Sequence, residues 1–504
     1  MSPHLPHRLK ARRLGIDTQS EPVIFLHKDC PVCRSEGFSS FNRVAVKAGG
    51  RSLIATLYQV ESDILACDEA GLSDAGWNRL ELSKDDPISV QHPAPVESLS
   101  YLRSRVFGHA LGGDAFNQIV SDIVDGRYSA VEISSFVTAC AANPLSSNEV
   151  EFLTHAMVDT GATLHWNSAI VADKHSVGGL PGNRTTPIIV AIVTTLGLTM
   201  PKTSSRAITS PAGTADTMET LAPVDLDNAA IRRVVEREGG CIVWGGAVRL
   251  SPADDILIRI ERALDIDGEG QMIASVLSKK IAAGATHLVV DMPVGPTAKV
   301  RNAETAASLG RGLTAVAQSF GLKIQILEGD GSQPIGRGMG PALEARDVLS
   351  VLKCDRQAPQ DLRDRALTLA GAILELSGRA RQGEGKALAA TVLDDGRAWT
   401  KFQRICEAQG GMRIPPYSRH RKDLIADSDG QLTQIDNRRI ARLAKLAGAP
   451  LDKAAGVELH VRQGDRITRG MPLCTLHADA PGELAYALNY ADANADIFRI
   501  VESS

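Results

Sequence analysis

The chain has 504 residues, of which 43% are apolar and 23% charged, the composition of an ordinary soluble globular protein. This length exceeds what one hydrophobic core can organise, so we expect three or four domains. The net charge of −4 argues against a general attraction to nucleic acid or anionic membrane, and an aromatic content of 4% provides no evident platform for stacked single strands.

The cysteines and the N-terminus bear on the compartment. Eight cysteines are scattered along the chain, which is typical of a reducing compartment and not of a disulfide framework. Residues 1–17 are basic but have no apolar core, so we expect no signal peptide, and no apolar run is long enough to span a bilayer. We therefore expect a cytoplasmic protein with no membrane and no nucleic-acid partner.

Residues 1–95 predict a β-rich domain, plausibly a small barrel. Strand-like runs lie at 23–26, 43–47, 53–58 and 88–90, separated by turn residues. Cys30 and Cys33 form a Cys-x-x-Cys motif that could be half of a zinc site or a redox pair. Because the chain has no second such motif and no nearby His pair, we favour a structural or incidental role.

Residues 96–168 predict a helical domain. Apolar residues recur there at helical spacing, and Ser129, Ser135 or Ser146 can cap successive helices. Glu149 follows Ser146 by three residues, which is the pattern of a capping box.

Residues 169–414 predict an α/β domain with a mainly parallel sheet, some of whose helices pack on the helical domain. Buried strands are expected at 241–244, 287–291 and 323–327, the apolar run 188–193 fits either a helix or a strand, and residues 360–412 predict helices. The glycine-rich loop 329–341 fits a lid or hinge and, equally, a rigid surface loop. Residues 415–504 predict a C-terminal α/β domain with turn–strand units at 464–467 and 470–476.

Two loops rich in Gly, Ser and Thr flank one apolar segment, residues 187–200. The first loop lies in 173–186 and the second in 202–219, and each carries Lys or Arg. One such loop is often only a turn, but two around one buried segment favour a phosphate-containing ligand, held by backbone N–H groups, hydroxyls and cations. Neither loop is a Walker A sequence or a G-x-G-x-x-G fingerprint, which argues against a P-loop NTPase or a Rossmann dehydrogenase.

The motif Lys174-His175-Ser176-x-Gly178-Gly179 and the long motif from Ser204 to Glu219 resemble the thymidine/pyrimidine-nucleoside phosphorylase family. The resemblance covers about residues 95–504 and continues at 275–280 and 343–347. It implies a helical domain, an α/β domain with phosphate loops and a C-terminal α/β domain, with the site in the cleft between the first two. It also implies a homodimer or larger homo-oligomer.

Within that family the chain is most similar to the AMP (nucleoside monophosphate) phosphorylase branch. The first loop contains Pro181, the second contains the run 207–212, and a domain of about 90 residues precedes the helices. The segment before Ser275 lacks the Arg-Asp pair with which nucleoside enzymes hold a pyrimidine carbonyl.

The resemblance implies that AMP and phosphate give adenine and ribose 1,5-bisphosphate, with CMP and UMP as further candidate substrates. Phosphate is then a co-substrate, and neither a cofactor nor a metal is expected. The residues implied to contact the nucleotide are Gly179, Ser205, Arg206, Ala207, Ile208, Thr209, Ser210, Thr214, Ser275 and Lys299. Those implied to hold the attacking phosphate are Lys174, Ser176, Thr186 and Ser204. Asp267 is the implied proton donor to the leaving base, and Lys279 reaches the base pocket from the helix face of Ser275.

The residues themselves leave simpler interpretations open. An Asp before Gly is more often a turn residue, Lys280 is expected to be solvated, and a lone lysine such as Lys299 is usually solvated too. His175 could line the base pocket or only shape the loop. Two other functions are weighed: a pyrimidine-nucleoside phosphorylase, which rejects a 5′-phosphate, and a non-catalytic nucleotide sensor.

Overall fold

The computed structural model describes residues 8–19, 21–207, 210–266 and 268–501. The chain folds into two compact units. The first contains the chain up to Asn143 together with Ile256–Ile266, and the second contains Pro144–Asp255 and the chain from Asp267 onward.

The first unit begins with a closed barrel whose six strands run in the order β1-β5-β2-β4-β3-β6. The strands are β1 (Arg8–Arg13), β2 (Val23–His27), β3 (Arg43–Ala48), β4 (Arg51–Val60), β5 (Glu69–Leu72) and β6 (Pro87–Gln91), and two short helices, α1 (Pro31–Glu36) and α2 (Asp74–Leu80), connect them. Alternating side chains of β3 and β6 are buried, so one face of each strand fills the barrel. The predicted small barrel and its four predicted strands are confirmed.

Four helices follow the barrel, as the apolar periodicity predicts. They are α3 (Leu99–Val106), α4 (Gly113–Val124), α5 (Ala130–Ala142) and, in the second unit, α6 (Ser147–Asp159). Ser129 and Ser146 begin α5 and α6 with complete capping boxes. The alternative that Ser135 caps a helix is wrong: Ser135 lies inside α5, where its hydroxyl donates to the Val131 carbonyl at 2.9 Å.

A parallel sheet forms the centre of the second unit. Its strands are β7 (Ala172–Ser176), β10 (His287–Val294) and β11 (Lys323–Asp330) in the order β11-β10-β7, while β8 (Met200–Ser204) pairs in parallel with β9 (Gly240–Trp244). A bridge between Val171 and Thr199 joins β7 to β8. The carboxyl ends of these strands therefore share one edge, which confirms the predicted parallel arrangement.

The second unit also contains α7 (Thr186–Thr195), α8 (Thr214–Glu219), α9 (Asn228–Glu238), α11 (Glu269–Ala282), α12 (Ala303–Ser319), α13 (Pro341–Leu352), α14 (Gln360–Leu376), α15 (Gly385–Asp394) and α16 (Arg397–Ala408). The residues of α10 (Pro252–Leu264) are divided between the two units. The run 188–193 is a helix, and α7 is buried along nearly its whole length because α14 and α16 pack around it. The predicted helices in 360–412 are confirmed.

The C-terminal part consists of antiparallel strands and two helices. It contains β12 (Gly338–Met339), β13 (His420–Ile425), β14 (Gly430–Ile435), β15 (Gly456–Leu459), β16 (Arg466–Ile467), β17 (Pro472–Ala478), β18 (Phe498–Val501), α17 (Asn437–Leu446) and α18 (Pro481–Ala493). The strand orders are β12-β15-β17-β13 and β16-β14-β18, so the two predicted turn–strand units become β16 and β17. Across the described parts of the chain, no helix has the length and apolar character needed to cross a membrane.

The glycine-rich loop 329–341 is held in place by backbone hydrogen bonds, and most of it is buried. The N–H groups of Arg337 and Gly338 donate to Asp347 Oδ2 at 2.7 and 2.8 Å. The N–H of Ile335 donates to the Pro181 carbonyl at 3.1 Å. Of the two interpretations, these contacts favour a fixed loop, which is partly buried and exposes Asp330 and Arg337.

Candidate functional site

The first of the two loops predicted to bind anions, which lies within residues 173–186, is called the first anion loop. It follows the carboxyl end of β7, and glycines form its turns. Gly178, Gly179 and Gly182 have φ values of 97°, 81° and 73°, which L side chains rarely adopt. A Cβ on Gly179 would lie 2.3 Å from the Lys299 nitrogen, and one on Gly182 would lie 2.0 Å from the Ile335 carbonyl oxygen. These two glycines therefore let the loop pack directly against the neighbouring backbone.

Lys174 is buried at the end of β7 and points into this loop. Its Nζ donates to Thr185 Oγ1 at 3.0 Å and lies 3.6 Å from Asp291 Oδ2. Burial lowers the pKa of Lys174 to about 8, with Arg365 and Arg184 adding to the effect and Asp291 opposing it. The ammonium is therefore charged at neutral pH but becomes neutral above about pH 8.

Asp291, at the carboxyl side of β10, fixes the surroundings of Lys174. Its Oδ1 accepts from Arg365 Nη2 at 2.6 Å, and its Oδ2 accepts from Asn183 Nδ2 at 2.8 Å. Burial alone would raise the pKa of Asp291, but Lys174 and Arg365 outweigh burial and lower it. Asn183 also reaches Ser176 Oγ at 3.4 Å, so one amide connects the two sides of the loop.

A second buried carboxylate, Asp173, lies between two lysines. Lys202 Nζ is 3.2 Å from its Oδ1 and Lys280 Nζ is 2.9 Å from its Oδ2. The expectation that Lys280 is solvated is wrong, because α11 turns this lysine onto β7, where burial lowers its pKa to about 7.

His175 lies among these lysines on β7. Burial and the charges of Lys280, Lys279, Lys202 and Lys174 lower its pKa well below the usual value. The imidazole is therefore neutral at physiological pH.

The second anion loop leaves the carboxyl end of β8 and is held by acidic side chains. Asp216 Oδ2 accepts from the N–H groups of Ala207 at 2.6 Å and Gly213 at 2.9 Å. Arg206 forms two 2.8 Å bonds with Glu219, whose pKa falls to about 2 because of the Arg206 hydrogen bond. Arg206, expected to contact the nucleotide, is thus engaged in shaping the loop.

Two hydroxyls of the second loop differ in their surroundings. Ser204 Oγ is buried, and no hydrogen-bond partner is found for it in the described part of the chain. Ser210 Oγ donates to the Ala212 carbonyl at 2.8 Å. A buried hydroxyl without a partner is costly, so Ser204 Oγ suits a ligand atom.

Arg184 joins the two loops. Its Nη1 donates to Thr214 Oγ1 at 2.7 Å and its Nη2 to the Ala212 carbonyl at 2.8 Å, while its Nε lies 2.5 Å from Glu344 Oε2. Glu344, which begins α13, also accepts from Thr217 Oγ1 at 3.2 Å. Both loops are therefore held by one guanidinium at one edge of the sheet.

Ser275 and Lys279 share one face of α11, as expected from their spacing. Lys279 Nζ donates to Ser275 Oγ at 3.1 Å and to Asp254 Oδ2 at 2.6 Å. Lys299 lies beside the first loop, its backbone nitrogen against Gly179. Thr186 is the first residue of α7 and directly follows Thr185, whose hydroxyl accepts the hydrogen bond from Lys174.

Ile208, Thr209 and the implied proton donor Asp267 lie outside the described residues. Within the described ranges, no group of three or more His, Cys, Asp or Glu side chains is placed to hold a metal ion.

Sequence reasoning missed several residues that hold the site together: Asp173, Asn183, Arg184, Lys202, Asp291, Glu344 and Arg365. Two signals were present, since Asp291 ends a predicted buried strand and Glu344 lies in the motif 343–347. Arg365 reaches Asp291 across 74 positions of the chain, and no local pattern marks such a pair.

Three family models match the chain. They are the helical bundle domain of the glycosyl transferase family at residues 99–161, the a/b domain of that family at 168–399, and the pyrimidine nucleoside phosphorylase C-terminal domain at 431–498.

Solved structures show the same fold. Anthranilate phosphoribosyltransferase from Thermus thermophilus matches with a TM-score of 0.51 and 20% identity over 61% of this chain and 98% of that chain. The enzyme of the same name from Saccharomyces cerevisiae, solved with PRPP and Mg, matches with a TM-score of 0.51 and 15% identity over 62% of this chain and 98% of its own. At these identities the likeness concerns the fold alone.

Curated relatives match nearly end to end. A protein of Polaromonas sp. is 58% identical over 99% of this chain and 98% of its own length, and one of Sphingopyxis alaskensis is 60% identical over 98% and 96%. Both are named "Putative thymidine phosphorylase". With identity of this extent and three matching domain models, the chain belongs to the thymidine/pyrimidine-nucleoside phosphorylase family of glycosyltransferases.

Proposed function

We propose that the protein catalyses the phosphorolysis of AMP, with CMP and UMP as further candidate substrates. A phosphate oxygen attacks C1′ of the ribose, the bond from C1′ to the base nitrogen breaks, and the base leaves with a proton. The products are adenine and ribose 1,5-bisphosphate.

The observation that carries this proposal is the pair of loops joined by Arg184. A nucleoside monophosphate that reacts with phosphate brings two anions to one site, and Arg184 holds two loops rich in Gly, Ser and Thr together at one sheet edge. Substrate anions would meet basic side chains at this edge, where Lys174, Arg184, Lys202, Lys280 and Arg365 lie together with the carboxylates Asp173, Asp291 and Glu344.

The attacking phosphate is assigned to the first loop. We assign Lys174, Ser176 and Thr186 at the start of α7 to bind it, and the unpartnered hydroxyl of Ser204 supports a further contact from the second loop. Ser205, Ser210 and Thr214 are assigned to the nucleotide, together with Gly179, Ser275 and Lys299.

The proton for the base is assigned to Asp267. Because the imidazole of His175 is neutral, this histidine cannot serve as an imidazolium donor at physiological pH. A carboxyl group whose pKa is raised by burial can protonate a ring nitrogen of the leaving base.

A second candidate function is phosphorolysis of thymidine or another pyrimidine nucleoside, favoured by the names of the curated relatives. It requires no 5′-phosphate. The third, a nucleotide sensor without catalysis, predicts AMP binding with no release of base.

Base release from AMP, CMP, UMP, adenosine, uridine and thymidine, each with and without phosphate, tests the proposal. We expect phosphate-dependent release from AMP and little from any nucleoside. Activity on thymidine with none on the monophosphates would favour the second candidate, and AMP binding without release would favour the third.

Lys174→Ala should abolish turnover. The matched control is Lys386→Ala, because Lys386 is an exposed lysine paired with Asp364.

The proposal includes small-molecule partners only, no cofactor, and at least a homodimeric assembly, which light scattering on the purified protein measures. It also includes domain boundaries near residues 95, 168 and 414, which limited proteolysis tests.

A further inference from the structure

The cysteine pair of the N-terminal barrel has no part in the proposed reaction. Cys30 is the N-cap of α1 and Cys33 is the third residue of that helix. Both are free thiols and buried, and the Cys33 N–H donates to Cys30 Sγ at 3.3 Å.

The spacing suits a disulfide. Cys30 has extended backbone angles as the N-cap, and its Sγ lies 3.3 Å from the Cys33 nitrogen, so the two side chains are at the same end of α1. A disulfide requires Cβ atoms about 3.5–4.5 Å apart, a distance that an adjustment at the start of α1 would provide.

The two thiols differ in their protonation. The hydrogen bond from Cys33, aided by backbone N–H groups, lowers the pKa of Cys30 to about 6 against the opposing effect of burial. The same bond and burial raise the pKa of Cys33. At neutral pH Cys30 is thus a thiolate nucleophile, and Cys33 keeps a proton.

Burial selects the size of the oxidant. Cys30 is 0% exposed and Cys33 is 4% exposed, so a bulky disulfide reagent cannot reach either sulfur without unfolding the barrel. The helix α1 has only six residues, and Arg34, Ser35 and Glu36 on its outer side are exposed. A molecule close to the size of water can enter when this short helix opens locally.

We propose that Cys30 and Cys33 are a redox-active pair that small hydroperoxides oxidise to a reversible disulfide. The Cys30 thiolate attacks one peroxide oxygen, the O–O bond breaks, and the departing oxygen takes up a proton. The resulting Cys30 sulfenic acid is attacked by the Cys33 sulfur, which loses its proton as the S–S bond forms and water leaves. Two thiols and one hydrogen peroxide thus give one disulfide and two waters, the sulfurs losing the two electrons that the peroxide gains.

Peptide mapping of the full-length protein tests this proposal. Reduced protein is treated with hydrogen peroxide, alkylated and digested with trypsin, which leaves both cysteines in the peptide Asp29–Arg34. We expect this peptide to lose two hydrogens and escape alkylation about ten times faster than the exposed Cys67 and Cys354 are oxidised, and dithiothreitol to restore it.

Variants identify the nucleophile. In Cys33→Ser the sulfenic acid at Cys30 should persist and react with dimedone when the oxidised protein is then unfolded in denaturant, because the buried sulfur excludes this reagent in the folded state, and Cys67→Ser should leave oxidation of the pair unchanged. Peptide Asp29–Arg34 alkylated at both cysteines after peroxide, a bond from either to Cys67, or stoichiometric zinc in the purified protein would each overturn the proposal. The wild-type peptide map decides the matter even where Cys33→Ser does not fold.

Discussion

Single buried carboxylates determine how the cations of this site behave. Asp291 lies beside Lys174 and Arg365, and Asp173 lies between Lys202 and Lys280. Removing one partner of such a pair leaves an uncompensated buried charge, which costs about 3–5 kcal/mol. Asp173 and Asp291 therefore act by positioning these cations, and neither has to touch a substrate to affect the site.

The pKa of Lys174 gives the first prediction. Because burial lowers it to about 8, the ammonium that we propose to hold phosphate is lost as the pH rises through 8. We expect the KM for phosphate to rise about tenfold per pH unit above this value, while the KM for AMP changes less. Initial rates at varied phosphate between pH 6.5 and 9.5 measure the effect. A phosphate KM that stays constant to pH 9.5 would contradict the assignment.

Asp267 carries the second prediction. Replacing it with Asn removes the proposed proton donor but keeps the size of the side chain, so kcat on AMP should fall by about 10²–10⁴-fold with little change in AMP binding. Turnover and the dissociation constant are measured separately. The matched control is Asp265→Asn, two residues earlier in the same connection, which should keep near-normal turnover. Normal turnover of Asp267→Asn would show that another group protonates the base.

At the scale of elements, the conformation of each anion loop depends on close packing of its glycines against neighbouring backbone. Gly179 touches the backbone at Lys299, and Gly182 touches the loop 329–341 at Ile335. Gly213 has Ser205 and Arg206 within 2.5 Å of where a Cβ would lie. The loops keep their shape because these positions have no side chain.

Adjacent glycines of the first loop provide a matched pair for the third prediction. Gly178 and Gly179 both have positive φ, but a Cβ on Gly178 meets open space, whereas one on Gly179 lies 2.3 Å from a backbone nitrogen. Gly178→Ala should cost about 1–2 kcal/mol of folding free energy from the backbone conformation alone. Gly179→Ala should cost clearly more and also raise the KM for AMP. Thermal unfolding without substrate, followed by initial rates, compares the two. Equal losses would show that Lys299 moves away without cost.

Much of the element order could be predicted from the sequence, because barrel strands such as β3 and β6 bury alternating side chains and the serines that cap α5 and α6 each precede a glutamate by three residues. The segment 188–193 remained ambiguous because a fully buried helix lacks a polar face, and only the surrounding helices decide its form. Pairings such as Asp291 with Arg365 depend on which strand lies next to which helix, and this is a property of the tertiary fold. The two glycine- and hydroxyl-rich motifs could be recognised in the sequence, but the roles of the carboxylates that hold these loops in place could not be predicted from it.

At the scale of the whole molecule, the loop 329–341 connects several parts of the second unit. It contacts the first anion loop at Pro181, contributes β12 to the C-terminal sheet beside β15, and is capped by Asp347 and Asp361. Arg462 adds a hydrogen bond to the Pro334 carbonyl at 2.8 Å and an ion pair with Asp361. The loop 329–341 therefore links the C-terminal strands to the first anion loop, and Lys453 links the same part of the chain to the second anion loop by ion pairs with Asp216 and Glu219.

Asp347 gives the fourth prediction. Burial raises its pKa to about 6 from an ordinary value of 3.8, although the Gly338 and Arg337 N–H groups oppose the shift. The folded state therefore binds more protons than the unfolded state between about pH 4 and 6. Stability from this group is present below pH 4 and is lost as the pH rises through 6, by roughly 3 kcal/mol in all.

Asp347→Asn keeps the two acceptor bonds without a charge, so its melting temperature should rise relative to wild type as the pH goes from 4.5 to 7. Scanning calorimetry across this range measures the difference. Asp395→Asn, at an exposed carboxylate paired with Arg397, should show no such trend. If the Asp347→Asn difference is independent of pH, the carboxyl group does not titrate in this window.

Because one guanidinium spans both anion loops, the energetic effects of altering them should not be additive. Replacing Thr214 with Ala removes one hydrogen-bond partner of Arg184. We expect the resulting shift of Arg184 to change the positions of Asn183 and Lys174 in the first anion loop. A double-mutant cycle between Thr214→Ala and Ser176→Ala should accordingly show a coupling energy of about 0.5–3 kcal/mol in nucleotide binding. For the two proposed substrates we therefore expect positive coupling: saturation with phosphate should lower the KM for AMP, and saturation with AMP should lower the KM for phosphate.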